Sequence, residues 1–195
     1  MSRPYTSNSP YASDTLAGVK RTALAHHPCS IARTLDVVGE WWTPLILRDV
    51  AYGVQRFGEI QQDLGISANV LSDRLDGLVR EGILERHLYQ QRPERHEYRL
   101  TEKGAELVPA LLALMRWGDR WQWLDGSGPV RVEHADCGHE VSVEVRCQHC
   151  ERELEVGELC AKARGKLRHM PGEHDPGGLS GRRLFASKDG VRLEV

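Results

Sequence analysis

The chain has 195 residues, 40% of them hydrophobic, which is enough to form a packed core and excludes wholesale disorder. With 26 basic and 28 acidic residues the net charge is -2, so any binding to nucleic acid must depend on local positive charge. No stretch approaches the roughly 18 apolar residues of a membrane span, and the first residues lack the apolar core of a secretory signal, so we expect a cytoplasmic protein without membrane contact.

The N-terminal part begins with a polar segment. Residues 1–14 are rich in Ser, Pro, Asn and Tyr and predict a flexible arm. Residues 15–26 are compatible with a short helix that Gly18 weakens. Apolar residues three or four apart predict a further helix over residues 30–38, ending at Gly39.

Three more helices follow in the central part. Thr43 before Pro44 is typical of a helix cap with Pro at the first helical position. A short helix with one apolar face then ends at Gly65, and Ser67 caps a longer amphipathic helix that ends at Gly82.

The periodicity changes after Gly82. Residues 83–90 alternate as in a strand, residues 91–95 (QRPER) predict a polar turn, and residues 96–101 predict the returning strand. A long helix then opens near Thr101 and runs through residues 107–124, which are apolar nearly all round. We expect a second copy of the chain to cover that helix.

The turn LGIS at residues 64–67 joins two predicted helices as in a helix-turn-helix. The outward positions of the second helix are small or polar, as base contacts require: Ser67, Ala68, Asn69, Ser72, Asp73 and Arg74. An ordinary amphipathic helix with a solvated face is the alternative. The following ribbon favours DNA binding, because Arg92 and Arg95 at its tip suit contacts with phosphate or the minor groove.

These residues resemble the HxlR-type winged-helix regulators, distant relatives of the MarR type. The resemblance covers residues 29–124 and is carried by CSIARTLDVVGEWWTPLILRDV, RFGEIQQDLGISANVLSDRLDGLVREGILER and EYRLTEKGAELVPAL. Its landmarks are Cys29, Trp42, the run from Arg56 to Glu59, Tyr98 and Leu100-Thr101. Departures occur at Ser30, where Pro is common, and at Glu40-Trp41, where small or basic residues are usual.

The resemblance implies a homodimer built through its terminal helices, which binds a two-fold-symmetric DNA operator and more commonly represses transcription. We include Arg56 among the residues expected to contact DNA. The resemblance also implies that Cys29, which precedes a helix near His26, His27 and Arg33, senses oxidants or reactive carbonyls. A small buried thiol is the alternative.

Four of the five cysteines lie in the last third of the chain. His134, Cys137, Cys147 and Cys150 have the spacing of two metal-binding knuckles, which predicts a structural zinc site. His139, His149 and Cys160 are alternative ligands, and reduced thiols in a metal-free β fold are the competing interpretation. We find no internal repeat in the sequence, and a hairpin turning at Asp189-Gly190 is expected near the end.

The predicted fold is α+β: a winged helix-turn-helix with a dimerisation helix over residues 15–125, and a small β-rich unit over residues 130–195. No phosphate loop, nucleophile elbow or metalloprotease helix is present, so we expect a regulator and not an enzyme. A small-molecule effector would be compatible with this function. A protein-interaction module with a repurposed winged helix is the alternative.

Overall fold

The computed structural model describes residue 24, residues 29–123, residue 126 and residues 128–160. The predicted arm, nearly all of the predicted helix over 15–26, and the predicted turn at Asp189-Gly190 lie outside the described residues.

Four helices form the first half of the fold: α1 (Ser30–Val38), α2 (Trp42–Ala51), α3 (Phe57–Leu64) and α4 (Ala68–Arg80). The predicted bounds of α1 are confirmed, as is the stop at Gly65, whose φ of 62° lies in the left-handed region that ends many helices. Ser67 caps α4 as predicted, because its hydroxyl accepts a hydrogen bond from the Val70 N–H at 3.4 Å.

The predicted start of α2 is wrong. The helix begins at Trp42, and the Thr43 side chain is buried inside its first turn instead of capping it. The backbone N–H of Thr43 donates to the Glu40 carbonyl at 2.9 Å, so the tight turn after α1 leads directly into α2. Pro44 still fits, because first-turn N–H groups have no partner within the helix.

The wing is an antiparallel ribbon of β1 (Leu84–Gln91) and β2 (Glu94–Leu100). The predicted turn over residues 91–95 is too long, since only Arg92 and Pro93 separate the strands. A bulge between Leu88 and Gln90 shifts the register and leaves Tyr89 outside the pairing.

The predicted last helix is divided in two: α5 (Glu102–Ala105) and α6 (Val108–Gln122). Pro109 explains the division, because it has no N–H to donate to the carbonyl of Ala105. Gly104 is required where α5 crosses the start of the wing, since a Cβ there would collide with the Ile83 carbonyl oxygen.

One hydrophobic core joins α2, α3, α4 and the wing. Its buried members are Ile46, Leu47, Val50, Ile60, Ile66, Leu71, Leu75, Leu78, Ile83, Leu84 and Tyr98. In contrast, α6 has no buried residue in the single chain. No helix in the described part of the chain is both long and apolar enough to cross a membrane.

Residues 128–160 contain less regular β structure than predicted. Their strand pairing consists of two isolated bridges, Glu133 with Glu140 and Arg146 with Glu153. A short 3-10 helix, Val156–Glu158, follows. None of the residues in 128–160 is buried.

Candidate nucleic-acid interface

Helix α4 turns its apolar side to the core and its polar leading end to solvent. Leu71, Leu75 and Leu78, spaced four and three apart, are buried against α3 and the wing. Five of the predicted base-facing positions are exposed: Ser67, Ala68, Asn69, Ser72 and Asp73. The structure therefore keeps the end that would enter a major groove free of intramolecular packing.

Arg74 is placed differently from those residues. Its guanidinium donates to the Glu40 carboxylate at 3.1 Å, and its side chain is only 30% exposed. Its Nε is buried without a hydrogen-bond partner in the described structure. The pair joins α4 to the turn between α1 and α2, so in this conformation Arg74 does not extend outward with Asn69 and Ser72.

Arg56 lies between the helix-turn-helix and the wing. Its guanidinium carbon lies 4.6 Å from the centre of the Tyr89 ring, within the range of a cation–π contact. Its Nη1 lies 3.6 Å from Oε1 of Glu59. Its backbone bridges Glu97 of β2. The sequence reasoning missed Tyr89, because the bulge that turns this ring toward Arg56 breaks the two-residue periodicity.

Two arginines at the wing tip are not engaged in ion pairs with the described residues. Arg92 and Arg95 are exposed and have no carboxylate partner within the part of the chain that the structure describes. Nearer the base of the wing, Arg86 pairs with Asp76 and Arg99 with Glu97. The tip is therefore the part of the wing that can bind phosphate without first breaking an ion pair.

A buried carboxylate of α2 is linked through Arg48 to α3, the first helix of the helix-turn-helix. Asp49 of α2 is almost fully buried and accepts a hydrogen bond at 2.9 Å from Nε of Arg48, which also bridges to Asp63 of α3 at 2.8 Å. Burial raises the pKa of Asp49, partly offset by Arg48. One of its oxygens has no hydrogen-bond partner among the described residues. Sequence reasoning missed this residue, because an Asp on a helix normally indicates a solvated position.

Two adjoining clefts meet at Glu40 and Arg74. One of about 370 Å³ extends along Asp36, Asp73 and Arg80, and one of about 360 Å³ is bounded by apolar residues. The apolar residues are Trp41, Trp42, Leu45 and Val70.

Cys29 is the N-cap residue of α1 and is half-buried. Its carbonyl accepts from the Arg33 N–H at 3.1 Å, whereas its thiol makes no capping hydrogen bond. The following helix exposes two apolar side chains, Ile31 and Leu35. The thiol therefore lies at the start of a helix that leaves Ile31 and Leu35 exposed in the single chain, while Val37 and Val38 at its other end pack against the core.

Helix α6 exposes a row of large apolar side chains. Leu114, Trp117 and Trp121 are each more than half exposed, and Trp123 follows just beyond the helix. Exposed contiguous apolar surface of this kind marks an interaction site in soluble proteins.

The predicted metal ligands form two pairs and not one cluster. His134 Nδ1 lies 3.2 Å from the Cys137 sulfur, and the pKa of the Cys147 thiol is lowered by the backbone N–H of Cys150, then by that of His149. Within residues 29–123 and 128–160, no three His, Cys, Asp or Glu side chains are grouped closely enough to hold a metal ion.

Comparison with known proteins decides the family. The model of the HxlR-like helix-turn-helix matches residues 37–125. Over 125 residues the chain is 44% identical to two uncharacterized HTH-type transcriptional regulators, Rv3095 of Mycobacterium tuberculosis and Mb3122 of Mycobacterium bovis. The alignment covers 64% of this chain and 79% of each relative. The chain belongs to the HxlR-like helix-turn-helix family.

Solved structures agree with this assignment. PA1607, a candidate transcription factor, is 34% identical with a TM-score of 0.66, over 73% of this chain and all of the other. PA1374 of Pseudomonas aeruginosa, another candidate transcription factor, is 36% identical with a TM-score of 0.51, over 71% and 94%. The resemblance found in the sequence and the winged-helix fold are confirmed, and this HxlR-like protein is a DNA-binding transcriptional regulator.

Proposed function

We propose that this HxlR-like regulator binds a two-fold-symmetric operator as a homodimer and represses the adjacent gene. The observation that supports DNA reading most directly is the exposed polar end of α4, followed in the chain by a wing whose tip carries two arginines outside the ion pairs of the described residues. Asn69 is suited to adenine, and Ser67 and Ser72 to either base or phosphate. Repression follows if the occupied operator overlaps the promoter.

A dimer is favoured by the large apolar side chains that the single chain leaves exposed on α6. Trp117 is 58% and Trp121 59% exposed on a helix that buries none of its side chains. Covering a large apolar side chain contributes about 1.5–3 kcal/mol, so a second copy of α6 is a favourable partner. Ile31 and Leu35 of α1 are further exposed apolar residues that a partner could cover.

A dimer also explains how such a small domain could select one site. Two copies of α4, related by a two-fold axis, double the base contacts and fix the spacing of the half-sites at about 10 base pairs or a multiple. We propose that the protein acts through this binding alone, without catalysis, and in the cytoplasm, where bacterial regulators meet DNA.

The direct experiment is a salt titration of binding to DNA. Operator affinity should fall linearly with salt on a double logarithmic plot, because phosphate contacts release counterions. Sedimentation of the complex should give two chains for each operator. An affinity that does not change with salt would instead favour a protein-interaction module.

Cys29 is the proposed signal input. It is the N-cap of α1, half-buried, and at the start of the helix that exposes Ile31 and Leu35. Oxidation or alkylation there adds bulk or polarity at the start of α1, so we expect modified protein to bind its operator more weakly. Cys29→Ser should bind DNA and resist the modifying agent. Unchanged operator affinity after quantitative modification of Cys29 would remove the sensor from the proposal.

A further inference from the structure

The C-terminal unit contains an internal repeat that the sequence reading missed. Residues 132–141 and 145–154 form two hairpins in which three backbone hydrogen bonds recur thirteen positions apart, whereas the bond from Cys137 N to His134 O in the first hairpin has no counterpart within residues 145–154. Val141 N donates to Val132 O at 2.9 Å, as Leu154 N does to Val145 O at 2.8 Å. The same match holds at the hairpin ends, between His134 N and His139 O and between Cys147 N and Arg152 O.

The tight turns of the two hairpins match as well. Gly138 N donates to His134 O at 2.8 Å, and Glu151 N donates to Cys147 O at 2.9 Å. Gly138 and Glu151 both have left-handed backbones, with φ of 67° and 56°. Glu151 is the non-glycine residue with positive φ in the described chain, so the second turn keeps this backbone although its side chain disfavours it. The sequence hid the repeat because few identical residues remain.

This correspondence distinguishes the candidate ligands. His134 in the first hairpin corresponds to Cys147 in the second, and Cys137 corresponds to Cys150. The alternative ligands do not correspond in this way: His139 matches Arg152, His149 matches Asp136, and Cys160 lies outside both hairpins. Equivalent positions therefore hold one His and three Cys, which are the residue types found in structural zinc sites.

The first pair already has the separation of two ligands of one ion. His134 Nδ1 lies 3.2 Å from the Cys137 sulfur, and two ligands of a tetrahedral zinc, at about 2.0 and 2.3 Å from the ion, are roughly 3.5 Å apart.

The described part of the C-terminal unit, residues 128–160, buries no side chain that could stabilise it. Its residues contribute nothing to the buried core, which lies wholly within residues 46–98, and Val132, Val143 and Leu154 are only half-buried. Two hairpins with one bridge each are marginal without a further link. A bound metal ion supplies such a link in small domains that cannot bury a core.

We propose that His134, Cys137, Cys147 and Cys150 bind one zinc ion, which draws the two hairpins together into a single site. Only residues 142–144 separate the two hairpins along the chain, so a short connector joins the two ligand pairs. No three of these side chains are grouped closely enough in this structure to hold an ion, so the proposal requires the two hairpins to move together when zinc binds. This inference does not depend on DNA binding, because all four ligands lie outside the helix-turn-helix and wing.

The test is metal analysis of the purified full-length protein, reduced, freed of metal and then supplied with zinc. We expect about one tightly held zinc per chain. Cobalt(II) in place of zinc should give the intense visible bands of a tetrahedral thiolate site. Cys150→Ser should weaken metal binding by at least tenfold and lower the cobalt band intensity, whereas the matched control Cys160→Ser should leave both unchanged.

The core of the winged helix lies outside the proposed zinc ligands, so each cysteine variant should keep a folded winged helix. Circular dichroism can verify this for each variant. Zinc should also protect Cys137, Cys147 and Cys150 from alkylation while Cys160 reacts. Failure of the reduced wild-type chain to bind zinc or cobalt would overturn the proposal. So would one metal per two chains, or equal losses in Cys150→Ser and Cys160→Ser, because either result requires a different ligand set.

Discussion

The Arg74 guanidinium is bound to the Glu40 carboxylate at 3.1 Å, which joins α4, the helix proposed to read DNA bases, to the turn between α1 and α2. Base reading by Arg74 would require DNA to displace Glu40. Because both side chains are about one-third exposed, the pair contributes little net stability, on the order of 0.2–1 kcal/mol. We therefore expect Glu40 to keep the Arg74 side chain at the turn between α1 and α2 until DNA binds.

Arg74 and Glu40 should respond oppositely to substitution. Arg74→Ala should cost about 1–3 kcal/mol on the specific operator and little on random DNA. Glu40→Gln should retain or increase operator affinity, because Arg74 keeps its charge and loses its competitor. Quantitative binding assays at one fixed salt concentration measure both. Equal losses in both variants would mean that Arg74 only anchors α4.

The wing arginines should act through phosphate. Replacing either Arg92 or Arg95 by Ala should weaken binding to operator and random DNA alike, and should lower the salt slope by about 0.9 if one phosphate contact is lost. Arg131→Ala, an exposed arginine in the C-terminal unit, is the matched control and should change neither. A loss confined to the operator would instead assign base reading to the wing tip.

Dimerisation should depend on the exposed tryptophans of α6. Trp121→Glu should convert the dimer to a monomer in sedimentation equilibrium, since burying an unpaired charge in an apolar interface is costly. Leu88→Glu changes an exposed apolar residue of the wing, 50% exposed against 59% for Trp121, and should leave the dimer intact. A dimer that survives Trp121→Glu would place the interface elsewhere.

Asp49 predicts a specific dependence of stability on pH. Burial raises its pKa above the unfolded value, so between those two values the folded chain binds more protons than the unfolded chain. The contribution of Asp49 to the free energy of unfolding therefore falls as the pH rises through this window and is larger on the acidic side. Urea unfolding at several pH values should show this trend in the wild type relative to Asp49→Asn. The exposed Asp73→Asn serves as control, and a constant difference between wild type and Asp49→Asn would contradict the buried, perturbed carboxyl.

The sequence predicted the features that depend on local chemistry. The ends of α1 and α3, the Ser67 cap and the inward leucines of α4 follow from periodicity and capping residues alone. The start of α2 was wrong because a tight turn replaced the expected Thr43 cap. The prediction of a single long helix was wrong because Pro109 has no N–H to continue the helical hydrogen bonds from α5 into α6.

Features that depend on contacts between distant residues could not be predicted in this way. The Arg74–Glu40 pair joins residues 34 positions apart, and the Arg56–Tyr89 contact depends on a bulge that reverses the expected direction of a strand residue. The two hairpins have matching backbone hydrogen bonds but few identical side chains at matching positions, so the repeat could not be recognised from the residue types.

The most direct test of the account is selection of bound sequences from a random DNA pool by the wild-type chain and by Asn69→Ala. The account predicts enrichment of a two-fold-symmetric site with half-sites about one helical turn, or a multiple, apart. Asn69→Ala should relax the preference at one base pair in each half-site and cost about 1–3 kcal/mol there. Enrichment of an asymmetric site, or an Asn69→Ala profile identical to that of the wild type, would contradict the claim that the leading end of α4 reads the operator.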